Sequence, residues 1–284
     1  MGLQILRTIE EMRAFAAAVK GAGKTLGLVP TMGALHEGHL TLMRRAKASC
    51  DVTVASVFVN PTQFGPHEDF AAYPRAFEAD CEKLAAEGVD AVFHPAPEEM
   101  YPQGYTAFVT VDGPITDKLC GASRPGHFRG VATVLTKLFH ITRADRAFFG
   151  QKDAQQVVVI KRFVRDLNFE IEIEMVPIVR AADGLALSSR NQYLSAKERQ
   201  AALVLSRSLR EAEALYGAGE RRAQVIVEAV RTRIAAEPLA EIEYAALYSF
   251  PDLAEIERIE SPALLALAVR FGKTRLIDNA ILGG

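Results

Sequence analysis

With 284 residues the chain can bury a substantial core, and the length favours two domains over one. Charged residues make up 24% and apolar ones 49%, and 33 basic against 35 acidic residues leave a net charge of −2, which excludes the electrostatic footprint of a nucleic-acid binder. Cys50, Cys81 and Cys120 stand far apart with no Cys-x-x-Cys spacing, so neither a disulfide framework nor a zinc site is expected, and a reducing cytoplasm fits. No apolar run approaches the ~18 residues of a membrane span. The N-terminal stretch lacks the order of a signal peptide, and Arg7 stands where a myristoylation motif wants Ser or Thr.

Taken in chain order, the periodicity predicts an amphipathic helix over 9–22, then a strand from Leu26 that hands over to a helix carrying Leu40, Met43 and Ala46 on one face. Residues 52–59, nearly continuous in β-branched and apolar side chains, read as a strand covered on both faces, ending in the loop Asn60-Pro61-Thr62-Gln63-Phe64-Gly65. A helix over 77–87 stops at Gly88, and strands over 89–93 and 107–111 follow. Residues 120–130 read as a Gly- and Pro-rich basic loop, before a helix over 131–141, a short strand over 147–149 and a helix over 154–167. After a strand over 171–176 the turn at Asp183-Gly184 leads to Leu187-Ser188-Ser189-Arg190-Asn191. Ser195 to Glu198 form a capping box opening a long helix that ends near Gly217. A second helix covers 221–236, and strands over 241–250, 263–271 and 274–281 close the chain. The order predicts an α/β domain followed by two helices on a small antiparallel sheet.

Chemistry concentrates where strands hand over to helices. His36 and His39, separated by Glu37 and Gly38, are spaced to share one face of a helix start, where backbone N–H groups and the macrodipole favour an anion such as phosphate. Two solvated histidines at a helix start are the plainer alternative. Gly150-Gln151-Lys152-Asp153 repeats the combination of glycine, cation and helix start and suits a second part of one polyphosphate; an exposed lysine is the alternative there. Ser188, Ser189 and Arg190 place two hydroxyls beside a bidentate cation, unless they are a polar linker.

His-x-Gly-His in this setting resembles the signature of the nucleotidyl-transferring α/β superfamily. Joined by the Asn-Pro-Thr-Gln-Phe-Gly loop, Arg124-Pro125-Gly126-His127-Phe128, Gly-Gln-Lys-Asp with Gln155 and Gln156, Leu-Ser-Ser-Arg-Asn and the C-terminal Gly-Lys-Thr-Arg-Leu-Ile-Asp-Asn, it resembles the pantothenate synthetase (pantoate–β-alanine ligase) family over most of the chain. The resemblance implies a Rossmann-like domain over 1–178 that binds ATP and pantoate, a smaller α+β lid domain over 179–284, and a homodimer. It implies an ATP-dependent ligation in which pantoate is adenylated with loss of pyrophosphate and β-alanine then displaces AMP to give pantothenate. ATP is expected against Met32, Gly33, Ala34, Leu35, His36, Glu37, Gly38, His39, Gly150, Gln151, Lys152, Asp153, Val179, Leu187, Ser188, Ser189 and Arg190. Gln63 and Gln156 match the residues that hold pantoate, Gln63 also lies near the β-alanine position, and His39 matches the proton donor. His36, Lys152, Ser188, Ser189 and Arg190 complete the expected catalytic set around an ATP that carries Mg²⁺. No protein ligand for the metal is identified, although Asp153 is conceivable. The family usually has Glu where Gln151 stands, a local change of charge or hydrogen bonding.

His67 and His127 lie in matching loops and serve either the pocket or its surroundings, whereas His94 and His140 have only structural readings. Three rivals remain. A nucleotidylyltransferase would share the first motif but would not need Gln63 and Gln156. A nucleotide sensor would not need both histidines, Lys152 and Arg190, and an RNA-binding synthetase fragment conflicts with the charge.

Overall fold

The computed structural model describes residues 2–66 and 68–284. Its elements in chain order are β1 (Gln4–Leu6), α1 (Ile9–Gly21), β2 (Leu26–Thr31), α2 (Glu37–Ser49), β3 (Val52–Val57), α3 (Phe77–Ala86), β4 (Ala91–Phe93), α4 (Pro97–Met100), α5 (Cys120–Ser123) and α6 (His127–Thr142). They continue as β5 (Arg146–Gly150), α7 (Ala154–Asp166), β6 (Glu172–Val176), α8 (Ala196–Gly217), α9 (Ala223–Ala235), β7 (Ala240–Ser249), β8 (Ala263–Phe271) and β9 (Thr274–Leu282). The chain divides into two compact units. Met1–Asp112, Ser123–Gly150 and Val159–Pro177 make one, and Gly113–Ala122, Gln151–Val158 and Ile178–Gly284 make the other.

In the first unit six strands pair in the order β1-β4-β3-β2-β5-β6, all parallel. β3 is buried at every position and β2 at all but Pro30, which explains their unbroken apolar sequence. Val29, Ala55, Val57 and Val92 of the sheet pack with Leu42, Met43 and Ala46 of α2 and Leu84 of α3 in one core cluster. The strand order reverses between β2 and β5, the place in open α/β sheets where the carboxyl ends of strands meet ligands. β2 leads into residues 32–39 there, and β5 ends at Gly150.

In the second unit β7, β8 and β9 form an antiparallel sheet. Its face packs with Ala202, Leu205 and Leu209 of α8 and Ile226, Val230 and Ile234 of α9. The capping box at the start of α8 is formed: Glu198 donates its N–H to Ser195 Oγ at 3.3 Å and returns Oε2 to the Ser195 N–H at 2.8 Å.

Several expectations need correction. Residues 107–111, expected as a strand, form none; Val109 donates its N–H to Thr133 Oγ1 on α6 at 3.0 Å, and Arg129 covers the Phe108 ring. The basic loop over 120–130 is partly helical. α5 lies within it, and α6 starts four residues early because Gly126, at φ +81°, turns the chain directly into a helix. β1 and α4 were not expected; each is only three or four residues long, too short for a periodicity to register. Among the described residues, no helix is long and apolar enough to cross a membrane.

Candidate active site

The first unit carries the histidine loop. Gly33 (φ +84°) and Ala34 (φ +51°) both take left-handed backbone between the end of β2 and the start of α2. An alanine in that region is held there by its surroundings. Asp80 of α3, 1% exposed, accepts the Ala34 N–H at 2.8 Å and the Leu35 N–H at 2.7 Å, and Lys83 donates to the Leu35 carbonyl at 2.6 Å. His36 is the extended residue before α2, and its ring stacks on that of His39 with centroids 4.1 Å apart. His39 Nδ1 accepts the His36 N–H at 3.3 Å, so a neutral His39 ring carries its proton on Nε2. Glu37, the first residue of α2, pairs its carboxylate with Arg44. Met32 and Gly33 also border a cavity of about 310 Å³ lined by Phe58, Phe77 and His94.

Gln63 is brought to the same loop, with Nε2 3.3 Å from Met32 Sδ. Its orientation is fixed from behind. Asn60, 1% exposed, donates Nδ2 to Gln63 Oε1 at 2.9 Å and to the Gly130 carbonyl at 3.2 Å, while its Oδ1 accepts from Thr62 Oγ1 at 2.9 Å and from the Tyr101 hydroxyl at 2.8 Å. Gln63 therefore presents its NH₂ end forward. Burial pushes the Tyr101 hydroxyl up to about 12, so it remains a donor at neutral pH.

The Gln63 carbonyl is held as well. Arg124 Nη1 donates to His127 Nε2 at 3.0 Å, and His127 Nδ1 then donates to the Gln63 carbonyl at 3.0 Å. Arg124 also forks onto Glu68, with Nε–Oε1 at 2.7 Å and Nη2–Oε2 at 2.6 Å. His127 thus supports the pocket loop, and His67 lies outside the described residues. His94 stacks on Phe77 with its Nδ1 2.6 Å from the Val57 carbonyl, and His140 is exposed beside Phe169, structural places for both.

The second unit carries the cationic residues. Gln151, Lys152 and Asp153 form a single 3₁₀ turn ahead of α7, so Lys152 precedes the helix instead of opening it. Its ammonium lies 3.0 Å from the Asp153 carboxylate and the side chain is 22% exposed. Asn279 of β9 donates to the carbonyls of Gln151 and Lys152 and accepts from Gln151 Nε2 at 3.2 Å, a donation that a Glu carboxylate at 151 would not make. Gln156 is half-buried on the first turn of α7, next to Gln155, which is buried and ties down Cys120, Ile115 and Lys118.

Val179 accepts the Leu187 N–H at 3.0 Å, closing a small hairpin through the Asp183-Gly184 turn. Ser188 caps the following 3₁₀ turn, its Oγ accepting the Arg190 N–H at 3.3 Å, and Leu187 to Arg190 are all half-buried. Sequence reasoning missed Asp80, Asn60 and Asn279. Asn60 and Asn279 left a signal, through the Asn-Pro-Thr-Gln-Phe-Gly loop and the C-terminal Asp-Asn pair, whereas Asp80 left none because it serves backbone N–H groups some 46 residues away. Among the described residues no group of three His, Cys, Asp or Glu side chains is placed to hold a metal ion.

A parallel α/β sheet with paired histidines where a strand enters a helix at the reversal of strand order defines a nucleotide-binding α/β protein of the His-x-Gly-His type. The chain belongs to the Pantoate-beta-alanine ligase family, whose model matches residues 4–281. It is 59% identical over 279 residues to the pantothenate synthetase of Pelotomaculum thermopropionicum, covering 98% of this chain and 99% of that one. It is 57% identical over 280 residues to that of Moorella thermoacetica, with 99% of each chain covered. The crystal structure of pantothenate synthetase from Thermus thermophilus superposes with a TM-score of 0.94 at 43% identity, covering 99% of this chain and 100% of that one. A pantoate-beta-alanine ligase from Francisella tularensis, complexed with beta-gamma ATP and beta-alanine, superposes with a TM-score of 0.82 at 32% identity, covering 99% and 98%.

Proposed function

We propose that this protein condenses (R)-pantoate with β-alanine at the expense of ATP, releasing AMP and pyrophosphate, in the biosynthesis of pantothenate and coenzyme A. The family match over residues 4–281 is the observation that carries the reading. In the first step a pantoate carboxylate oxygen bonds to the α-phosphorus and pyrophosphate leaves with the bonding pair. In the second the β-alanine amine attacks the acyl carbon of pantoyl adenylate, the C–O bond to AMP breaks, and the amine sheds a proton.

Both steps move charge onto phosphoryl oxygens, so positioning and cations are expected to dominate over covalent catalysis. His39, with its Nε2 proton aimed away from the His36 backbone, acts as proton donor beside His36. Lys152, Ser188, Ser189 and Arg190 neutralise and orient phosphate oxygens. ATP lies against Met32 to His39, Gly150 to Asp153, Val179 and Leu187 to Arg190. Gln63 and Gln156 hold pantoate, and the forward NH₂ of Gln63 suits its hydroxyl and carboxyl oxygens and later faces β-alanine.

Mg²⁺ travels with ATP and lessens the charge on its phosphates. Such an ion keeps phosphate and water ligands and needs few from protein. The Asp153 carboxylate beside Lys152 fits that role as a single ligand. The same reading places the protein in the cytoplasm as a homodimer, and gives residues 179–284 the task of shielding the adenylate from hydrolysis. Product analysis tests the reaction: pantothenate, AMP and pyrophosphate form in equal amounts only with ATP, pantoate and β-alanine present together. ADP as the nucleotide product would contradict it.

A further inference from the structure

We infer that Asn279, backed by Asp278, is a positioning residue that presents Lys152 to the phosphates of ATP; the inference rests on the role proposed for Lys152. Asp278 and Asn279 are 2% and 3% exposed on β9, between buried Leu276 and Ala280. Polar groups so placed cost stability unless every donor and acceptor is matched, and apolar residues would serve the sheet as well. Their bonds lead out of the sheet to the residues expected to meet ATP. Asn279 Nδ2 donates to the Gln151 carbonyl at 2.9 Å and to the Lys152 carbonyl at 3.0 Å, and Oδ1 accepts from Gln151 Nε2.

One side chain thereby ties down the 3₁₀ turn that carries Lys152, a type of turn that holds itself less well than an α-helix does. The clamp is anchored in its turn. The Asn279 N–H donates to Asp278 Oδ1 at 2.8 Å, and the Asp278 carboxylate receives both Arg180 Nη groups, at 2.6 and 2.9 Å. Arg180 also donates to the Gly184 carbonyl at 3.2 Å, within the hairpin that ends at Leu187. The Asp-Asn pair of β9 therefore sets the register of both segments expected to grip ATP in this unit, 151–153 and 179–190.

The test is a double-mutant cycle on the full chain, measuring pantoate-dependent ATP consumption and melting midpoint for wild type, Asn279→Ala, Lys152→Ala and the double variant. Asn279→Ala is expected to lower kcat/KM for ATP about 10- to 100-fold, the scale of a small misplacement of a reacting group, with KM for pantoate within about twofold of wild type. In the Lys152→Ala background the same substitution should cost less than about threefold more, since the group it positions is gone. A full repeat of the loss in that background, or equal damage to both KM values, overturns the positioning role. Lys152→Ala at the wild-type rate overturns the role of Lys152 and with it this inference, and a wild type that consumes no ATP with pantoate overturns the function itself. Where Asn279→Ala does not fold, Asn279→Ser, whose hydroxyl can serve one of the two carbonyls, reads the same cycle with a partial loss.

Discussion

A side chain at Gly33 would run into Asp80: its Cβ would stand 3.0 Å from Oδ2, and 3.1 Å from Val57 Cγ1. The left-handed turn at 33–34 and the buried carboxylate behind it are thus one device, in which Asp80 accepts the two N–H groups that the turn leaves over. Asp80→Asn replaces one acceptor oxygen with a donor. It is expected to destabilise the protein by about 1–3 kcal/mol in urea denaturation, the cost of a buried group left unmatched. Gly33→Ala should cost at least about 1–2 kcal/mol from its backbone conformation alone. Wild-type stability in both variants would contradict the coupling.

His39→Ala removes the donor that adenylation is proposed to use. The rate of pyrophosphate exchange is expected to fall by at least about 2 kcal/mol of transition-state stabilisation, the scale of one lost donor. Unchanged exchange would reject the catalytic role of His39, whereas the same substitution should leave the fold intact because the ring is only half-buried.

Gly130 lets α6 approach the loop that carries Gln63. A Cβ there would lie 2.6 Å from Gln63 Cα and closer still to the Thr62 carbonyl, both parts of the backbone that cannot swing away. Gly130→Ala is expected to cost about 1–3 kcal/mol of stability and, by shifting Gln63, to raise KM for pantoate more than KM for ATP. Thermal melts and initial rates on one preparation check both parts.

Burial opposes ionisation of Glu68, and the Arg124 guanidinium overcomes it, holding the carboxyl below its ordinary value of 4.5. A carboxyl depressed by folding contributes stability that is complete above the unfolded value and is lost as pH falls through the folded one. Glu68→Gln should therefore melt below wild type at pH 7, with the gap closing as pH drops below about 4.5. A gap that persists or widens in acid would contradict the pairing.

What could be read from the sequence was local. The helix start at His36 to His39, the Ser195 capping box and the buried strand at 52–57 each declare themselves within a few residues, through glycine, caps or period. The supports of the site do not. Asp80 acts on Ala34 across 46 residues and Asn279 on Gln151 across 128, and although the Asp-Asn pair stands in a recognisable motif, neither pairing can be read from residues so far apart. The strand expected at 107–111 failed through another distant partner: its apolar, β-branched residues suit a strand, but the Val109 N–H goes to Thr133 on α6.

Isotope exchange between pyrophosphate and ATP tests the central claim most directly. Exchange that requires pantoate and proceeds without β-alanine is the result expected of an adenylate formed before the amine arrives. Active protein that shows no such exchange, or that exchanges only when β-alanine is added, would contradict it.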